Sequence, residues 1–204
     1  MKLLERARLL KALGLLPANA DLSAIVSKAE AGDIDVEMAP ATALLVAGGV
    51  VLTIAAEELT AARDIPAVVR RFESFCGNVF KVSDVQVRSL GVSQHDASDY
   101  VNEDDLEEGE ELPATFEEEA IEVRITIDGT TYESEVTRLD DMIDLGFVTE
   151  LQDHLESIGE KRQICQLVED VDDDPRFLFV EPEKMEEAEL REIITAPDFE
   201  EEDD

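Results

Sequence analysis

The chain has 204 residues, 44% of them apolar, with a formal net charge of −34 and a sequence pI near 4.1. That apolar content supports a true hydrophobic core in one large domain or two small ones, rather than a wholly disordered chain. The charge argues against nucleic acid and anionic membrane as partners, because polyanion binding draws its affinity from Lys and Arg at phosphates, and a positively charged protein is the natural complement. Its distribution matters more than its size: Met1 to Gly91 holds ten Lys/Arg against eleven Asp/Glu, whereas Val92 to Asp204 holds seven against forty. Halophilic adaptation would acidify the whole surface, so the asymmetry counts against that explanation.

In chain order, Lys2 to Leu16 is leucine-rich with basic residues between and is closed by Pro17, which predicts an amphipathic helix. The same stretch lacks a continuous apolar segment, so no signal peptide is expected. Asp21 is placed to cap a second helix in which Leu22, Ile25, Val26 and Ala29 share a face, with Gly32 just past its end. Ile34, Val36 and Met38 alternate with acids, the pattern of a half-exposed strand. Met38 to Ala56 carries no charge, but Pro40, the Gly48-Gly49 pair and its many alanines argue against a membrane span. The glycine pair is instead expected to turn a hairpin between strands at Ala43 to Ala47 and Val50 to Ile54. Pro66 opens a further helix with Val68, Val69, Phe72, Phe75 and Cys76 on one face, and Phe80 to Val87 is the next expected strand.

From Ser93 to Glu119 there is no basic residue, which predicts an acidic linker or surface loop over 92–119. Order resumes with Ile121, Val123, Ile125 and Ile127 alternating up to Asp128-Gly129 and a return strand from Thr130 to Thr137. With Asp128 and Gly129 as the loop, Ile127 pairs with Thr130, Ile125 with Tyr132, Val123 with Ser134 and Ile121 with Val136, and Arg124 faces Glu133 on the other side. A helix is expected over Asp144 to Ile158 with Gly159 as its stop, then strands at Gln163 to Val168 and Arg176 to Val180, and a helix opened by Pro182. Asp198 to Asp204 is an acidic tail. The expected fold is α+β: a near-neutral mixed helix and strand domain over 1–91, the linker, an acidic ββαββα sheet-plus-helix domain over 120–195, and a tail over 196–204.

The residues offer little for catalysis. His95 falls in the acidic stretch and His154 inside a helix, which does not make a nucleophile triad, and two histidines with two cysteines at unrelated spacings do not make a zinc site. Cys76 and Cys165 read as buried thiols of a reducing compartment. Asp170, Asp172 and Asp174, with Glu181, match positions 1, 3, 5 and 12 of a calcium loop, but Pro175 occupies the position that needs Gly and strands flank the site. No metal, cofactor or catalytic residue is therefore expected. Asp170, Asp172, Asp173 and Asp174 read as an acidic hairpin loop open to cationic groups.

The hairpin Arg124 to Tyr132, the segment Leu145-Gly146-Phe147-Val148-Thr149-Glu150-Leu151 and the passage Phe177-Leu178-Phe179-Val180-Glu181-Pro182-Glu183 together resemble the immunity proteins of bacterial polymorphic toxin systems, over Ile121 to Leu190 or about a third of the chain. The resemblance implies an intracellular, non-enzymatic inhibitor that occludes a cognate toxin domain, and a basic nuclease toxin would suit the charge. The residues expected to meet such a partner are Asp104, Asp105, Glu107 and Glu108 for steering and Tyr100, Leu106 and Phe116 as apolar anchors, together with the aspartate loop. The alternative expectation is a nucleic-acid mimic that inhibits a DNA-binding or defence enzyme. A third is an enzyme that uses paired carboxylates and a metal, for which only the imperfect aspartate loop speaks.

Overall fold

Cap and turn chemistry fix most of the element boundaries in the computed structural model, which describes residues 1–96, 115–140, 142–167 and 174–194. The chain is α+β, with helices and antiparallel sheets, and no helix among the described residues is long and apolar enough to cross a membrane. It divides into two compact units, Met1–Ala55 with Leu155–Asp204, and Ala56–His154. The boundary expected after residue 91 instead falls within a strand, Val82–Asp96, and the expected 120–195 domain is shared between the two units.

The first unit begins with α1 (Leu3–Ala12), which buries Ala7 and Leu10, and α2 (Leu22–Glu30). The Asp21 carboxylate caps α2 as the sequence predicts, accepting from the N–H groups of Ser23 at 3.0 Å and Ala24 at 3.2 Å. The predicted strand at Ile34 to Met38 does not form. There the Asp35 carboxylate accepts the Glu37 N–H at 2.7 Å and the Asp35 carbonyl accepts the Ala39 N–H at 2.9 Å, so side-chain turn chemistry overrides the alternating pattern.

The predicted hairpin around Gly48-Gly49 is also replaced: Pro40–Ala47 is a helix, α3, followed by a short strand β1 (Val51–Thr53). Its helix-forming Ala and Leu residues and a proline in the first turn favour this outcome, and burial of Ala41, Thr42, Ala43, Leu44 and Leu45 explains the lack of a polar face. Both glycines still matter. A Cβ on Gly48 would stand 2.5 Å from the Leu16 side chain, and Gly49 takes a φ of 70°. β1 pairs with β7 (Arg176–Val180), which pairs in turn with β6 (Gln163–Leu167), giving the order β1-β7-β6. Leu10, Leu16, Leu44, Leu45, Leu178 and Ile193, with Met185 and Ala188 of α6 (Pro182–Leu190), belong to the core of this unit. Cys76, in the other unit, is buried as expected, whereas Cys165 on β6 is only half-buried.

The second unit holds α4 (Ile65–Phe75) and the sheet β2-β3-β4-β5, formed by Val82–Asp96, Thr115–Ile127, Thr130–Leu139 and Met142–Ile143. The β3–β4 register is the predicted one at every named position: Ile127 with Thr130, Ile125 with Tyr132, Val123 with Ser134, Ile121 with Val136. Ile121, Val123, Ile125 and Ile127 are fully buried on one face, as are Phe72 of α4 and Phe147 of α5 (Phe147–Ser157), whose rings meet edge to face at 6.5 Å. Each such side chain contributes about 1.5–3 kcal/mol. The ββαββα order holds, with β5 as a small addition, but its two hairpins lie in different sheets.

Candidate functional site: an acidic ribbon

The segment predicted as an acidic linker or surface loop over 92–119 is, at both described ends, strand. Val92 to Asp96 pairs with Thr115 to Glu119, so β2 and β3 run on past their buried half as a ribbon. A bulge between Ser89 and Gly91 marks the passage from one half to the other. Beyond it Gly91 to Gln94 are exposed, with Leu90 at 45% and Val92 at 56%. Leu139 on β4 and Met142 on β5, a registered pair, are exposed as well.

Three successive glutamates of β3 define the chemistry of this ribbon. Glu118 lies opposite Ser93, and its Oε2 is 3.0 Å from His95 Nε2, whose ring stacks on Phe116 with centroids 5.6 Å apart and planes at 24°. Glu119 and Glu117 point to the other face. Glu119 receives Arg138 Nε at 2.8 Å, and a hydrogen bond from Ser89, with that guanidinium second, holds its carboxyl below the usual carboxylate range. Glu117 is 4.0 Å from the same guanidinium, and its N–H donates to Asp140 Oδ1 at 3.0 Å. Further along the outer face Arg124 lies 3.2 Å from Glu133, the cross-strand pair expected from the sequence, and 3.1 Å from Glu122, which also takes Arg88 at 2.8 Å. On the buried half's outer face Arg88 and Arg124 thus meet Glu122 and Glu133, and in the ribbon the three glutamates of β3 meet Arg138 and His95.

Of the residues singled out from sequence, Phe116 lies in this ribbon, half-buried against His95. Tyr100, Asp104, Asp105, Leu106, Glu107 and Glu108 lie outside the described residues, in the 97–114 connection between the two ribbon strands. Asp174 is described, with its carbonyl accepting from Arg176 Nη1 at 3.4 Å, while Asp170, Asp172 and Asp173 lie outside the described residues. Glu181, the last position of the calcium pattern, precedes α6 and pairs with Lys184 at 2.7 Å. Among the described residues no group of three or more His, Cys, Asp or Glu is placed to hold a metal ion. Sequence reading missed Ser89, His95, Glu117, Glu118, Glu119 and Arg138. Phe116 and Ala120 fall out of phase with Ile121, Val123, Ile125 and Ile127, and polar side chains on both faces leave no alternation to read.

His154 has a different task. Its ring is 2% exposed, with Nδ1 3.0 Å from the Tyr132 hydroxyl and Nε2 3.1 Å from Asp128 Oδ2. A carboxylate only accepts, so Nε2–H donates to Asp128, and Nδ1 pairs with the Tyr132 hydroxyl. Asp128 sits in the hairpin turn at a φ of 48° and accepts the Lys81 N–H at 3.2 Å, so this buried chain fastens turn, strand and α5 together. The Cys165 thiol is pushed up to about 11, by burial first and the Glu189 carboxylate second, which leaves it protonated at neutral pH. Compared with family models, with curated proteins and with solved structures, the chain matches none.

Proposed function

We propose that the chain is a non-enzymatic, cytoplasmic binding protein of the immunity type, which engages a positively charged protein domain through the acidic ribbon and its 97–114 connection. The observation that carries this reading is the setting of Glu117, Glu118 and Glu119 on a ribbon whose other strand is exposed over Gly91 to Gln94 and whose connection adds acids and no base. Long-range attraction to such a surface speeds encounter, while a smaller desolvated contact sets the lifetime of the complex. Phe116, Leu90 and Val92 supply apolar area for that contact beside the carboxylates. A cognate toxin domain with a basic, phosphate-binding site is the partner this chemistry favours.

The test is association kinetics with a partner recovered from the source cell. The association rate is expected to fall steeply as salt rises, because exposed charges are screened over about 8 Å at physiological ionic strength, with dissociation changing much less. Neutralising Asp104, Asp105, Glu107 and Glu108 to Asn and Gln should slow association, whereas Glu57→Gln with Glu58→Gln should leave it unchanged. An association rate indifferent to both salt and the first substitutions would defeat the reading. Competition by duplex DNA for the same partner would favour the nucleic-acid-mimic alternative.

A further inference from the structure

We propose that the outer edge of β2 over Leu90–His95 receives an extended, Lys- or Arg-bearing segment of the partner as an added β-strand. This rests on the cationic-partner reading above and names its mode of recognition. β2 is the terminal strand of its sheet: in the order β2-β3-β4-β5, β3 is its one strand neighbour among the described residues. It is also the longest strand at 15 residues, whereas the other sheet edges, β5, β1 and β6, have two, three and five. At its first residue this edge is met by α4, where Arg70 donates to the Val82 carbonyl at 3.2 Å. Past the bulge, Gly91 to Asp96 keeps an unbroken register with Ala120 to Thr115.

Natural edges are guarded by Lys, Pro, inward charges or bulges at the accessible stretch. Here the sequence Leu90-Gly-Val-Ser-Gln-His95 holds no Lys, Arg or Pro, and the bulge lies at its start. What the edge does carry is a row of carboxylates one strand behind it. Glu119, Glu118 and Glu117 lie directly across from Val92, Ser93 and Gln94. An added strand would stand two strand spacings from β3, about 9.6 Å, a gap that an extended Lys or Arg and a Glu side chain close between them. A cation beside Ser93 reaches Glu118 over a side chain too small to block it, and cations beside Val92 and Gln94 reach Glu119 and Glu117 on the opposite face. The alternation of faces therefore gives cations on either face of a basic segment a glutamate over Val92 to Gln94, of which Glu119 is shared with Arg138, while the exposed Val92 offers contact to an apolar residue. A second copy of this chain is disfavoured at the same edge, since pairing two such edges would bring two rows of glutamates together at a net charge of −34 each.

The test uses the full chain, isotopically labelled, and two eight-residue probes with blocked ends: alternating Lys and Val, and the same peptide with every backbone nitrogen methylated. The probes share charge and side chains, but the second cannot donate to an edge. The first should bind about thirty-fold more tightly, the loss expected for two net hydrogen bonds, and should slow amide exchange over Leu90–His95 alone. Glu117→Gln with Glu118→Gln should weaken the first probe several-fold without altering the spectrum of the buried half. Equal affinity for both probes overturns strand addition and leaves the cationic-partner reading standing. Failure of both probes to bind at low salt overturns both. A dimer whose Leu90–His95 amides are already protected before peptide is added assigns the edge to a second copy and also overturns the proposal.

Discussion

Over Ile121 to Ile127, β3 sends every second side chain into a core shared with α4 and α5, whereas over Thr115 to Ala120 the same strand carries Phe116 and three glutamates on a ribbon that Gly91 to Gln94 leave open. Hydrogen bonding continues through both halves, so the difference lies in what the side chains bury. The inner half draws its stability from apolar area. The ribbon gains little from it and concentrates like charge, a cost to folding that a partner of opposite charge would offset. The sharpest way to break this division is to truncate a side chain in each half. Ile125→Ala should destabilise by about 3 kcal/mol, through lost transfer energy and the cavity left behind. Val92→Ala should stay within about 0.5 kcal/mol. Urea unfolding of both variants decides it, and a similar loss at the two sites would show that the ribbon is part of the core.

A smaller effect is expected where the inner half uses polar groups. Asp128→Ala removes the acceptor of both the Lys81 N–H and the buried His154 Nε2–H, and places alanine at a φ of 48°, so about 2 kcal/mol should be lost. Tyr132→Phe removes one neutral hydrogen bond to Nδ1 and should cost about 1 kcal/mol. If either change left the unfolding midpoint in place, the His154 chain would not be a structural fastening.

Acid tests the charged contacts in another way. Glu160 is held at about 2 by the Arg162 guanidinium and backbone N–H, against an ordinary 4.5, and Glu119 in the ribbon is also held low. A lowered folded pKa contributes stability that is present above the unfolded value and lost as pH falls through the folded one. The window for Glu160 therefore runs from about 4.5 down to about 2. Because protonating the many other carboxylates relieves repulsion, the comparison is between wild type and Glu160→Gln at each pH. Their difference in stability should be constant at neutral pH and shrink through that window. Glu119→Gln should behave in the same sense, and a difference that grows on acidification would contradict the assigned contacts.

The elements that declared themselves in the sequence are those in which local chemistry and burial agree. The Asp128-Gly129 turn and four alternating apolar residues specify one register, because a slip by one residue would expose them all. Pro66 and Pro182 fall in the first turns of α4 and α6, and Asp21 caps α2. Where two signals competed, one was misread. The small apolar run before Gly48 is a helix buried all round, whose lack of periodicity cannot be told from a buried strand, and the alternation at Ile34 to Met38 lost to the Asp35 turn. The ribbon was hidden because its strands bury too little on either face to leave a period-two pattern, and the site residues read from sequence were charges and apolar anchors rather than positions in a sheet. The division of the chain was hidden for a different reason: the three-stranded sheet joins β1 to β6 and β7, a long-range pairing for which no local motif exists.

The smallest effect on stability is expected at the ribbon's glutamates, and there the comparison becomes functional. Glu117→Gln with Glu118→Gln should leave the unfolding midpoint unchanged within about 0.5 kcal/mol, since surface pairs of this kind contribute little to the fold. The same double substitution should slow association with a cationic partner, because the removed charges act at a distance. Phe116→Ala should act oppositely on the kinetics. Its ring is half-buried against His95, so truncation removes contact area without changing charge, and the dissociation rate should rise while the association rate holds. Measuring both rates for both variants at low and at physiological salt separates steering from grip. If Phe116→Ala proved as costly to folding as Ile125→Ala, the stacked pair would belong to the protein's own core and not to a surface kept for a partner.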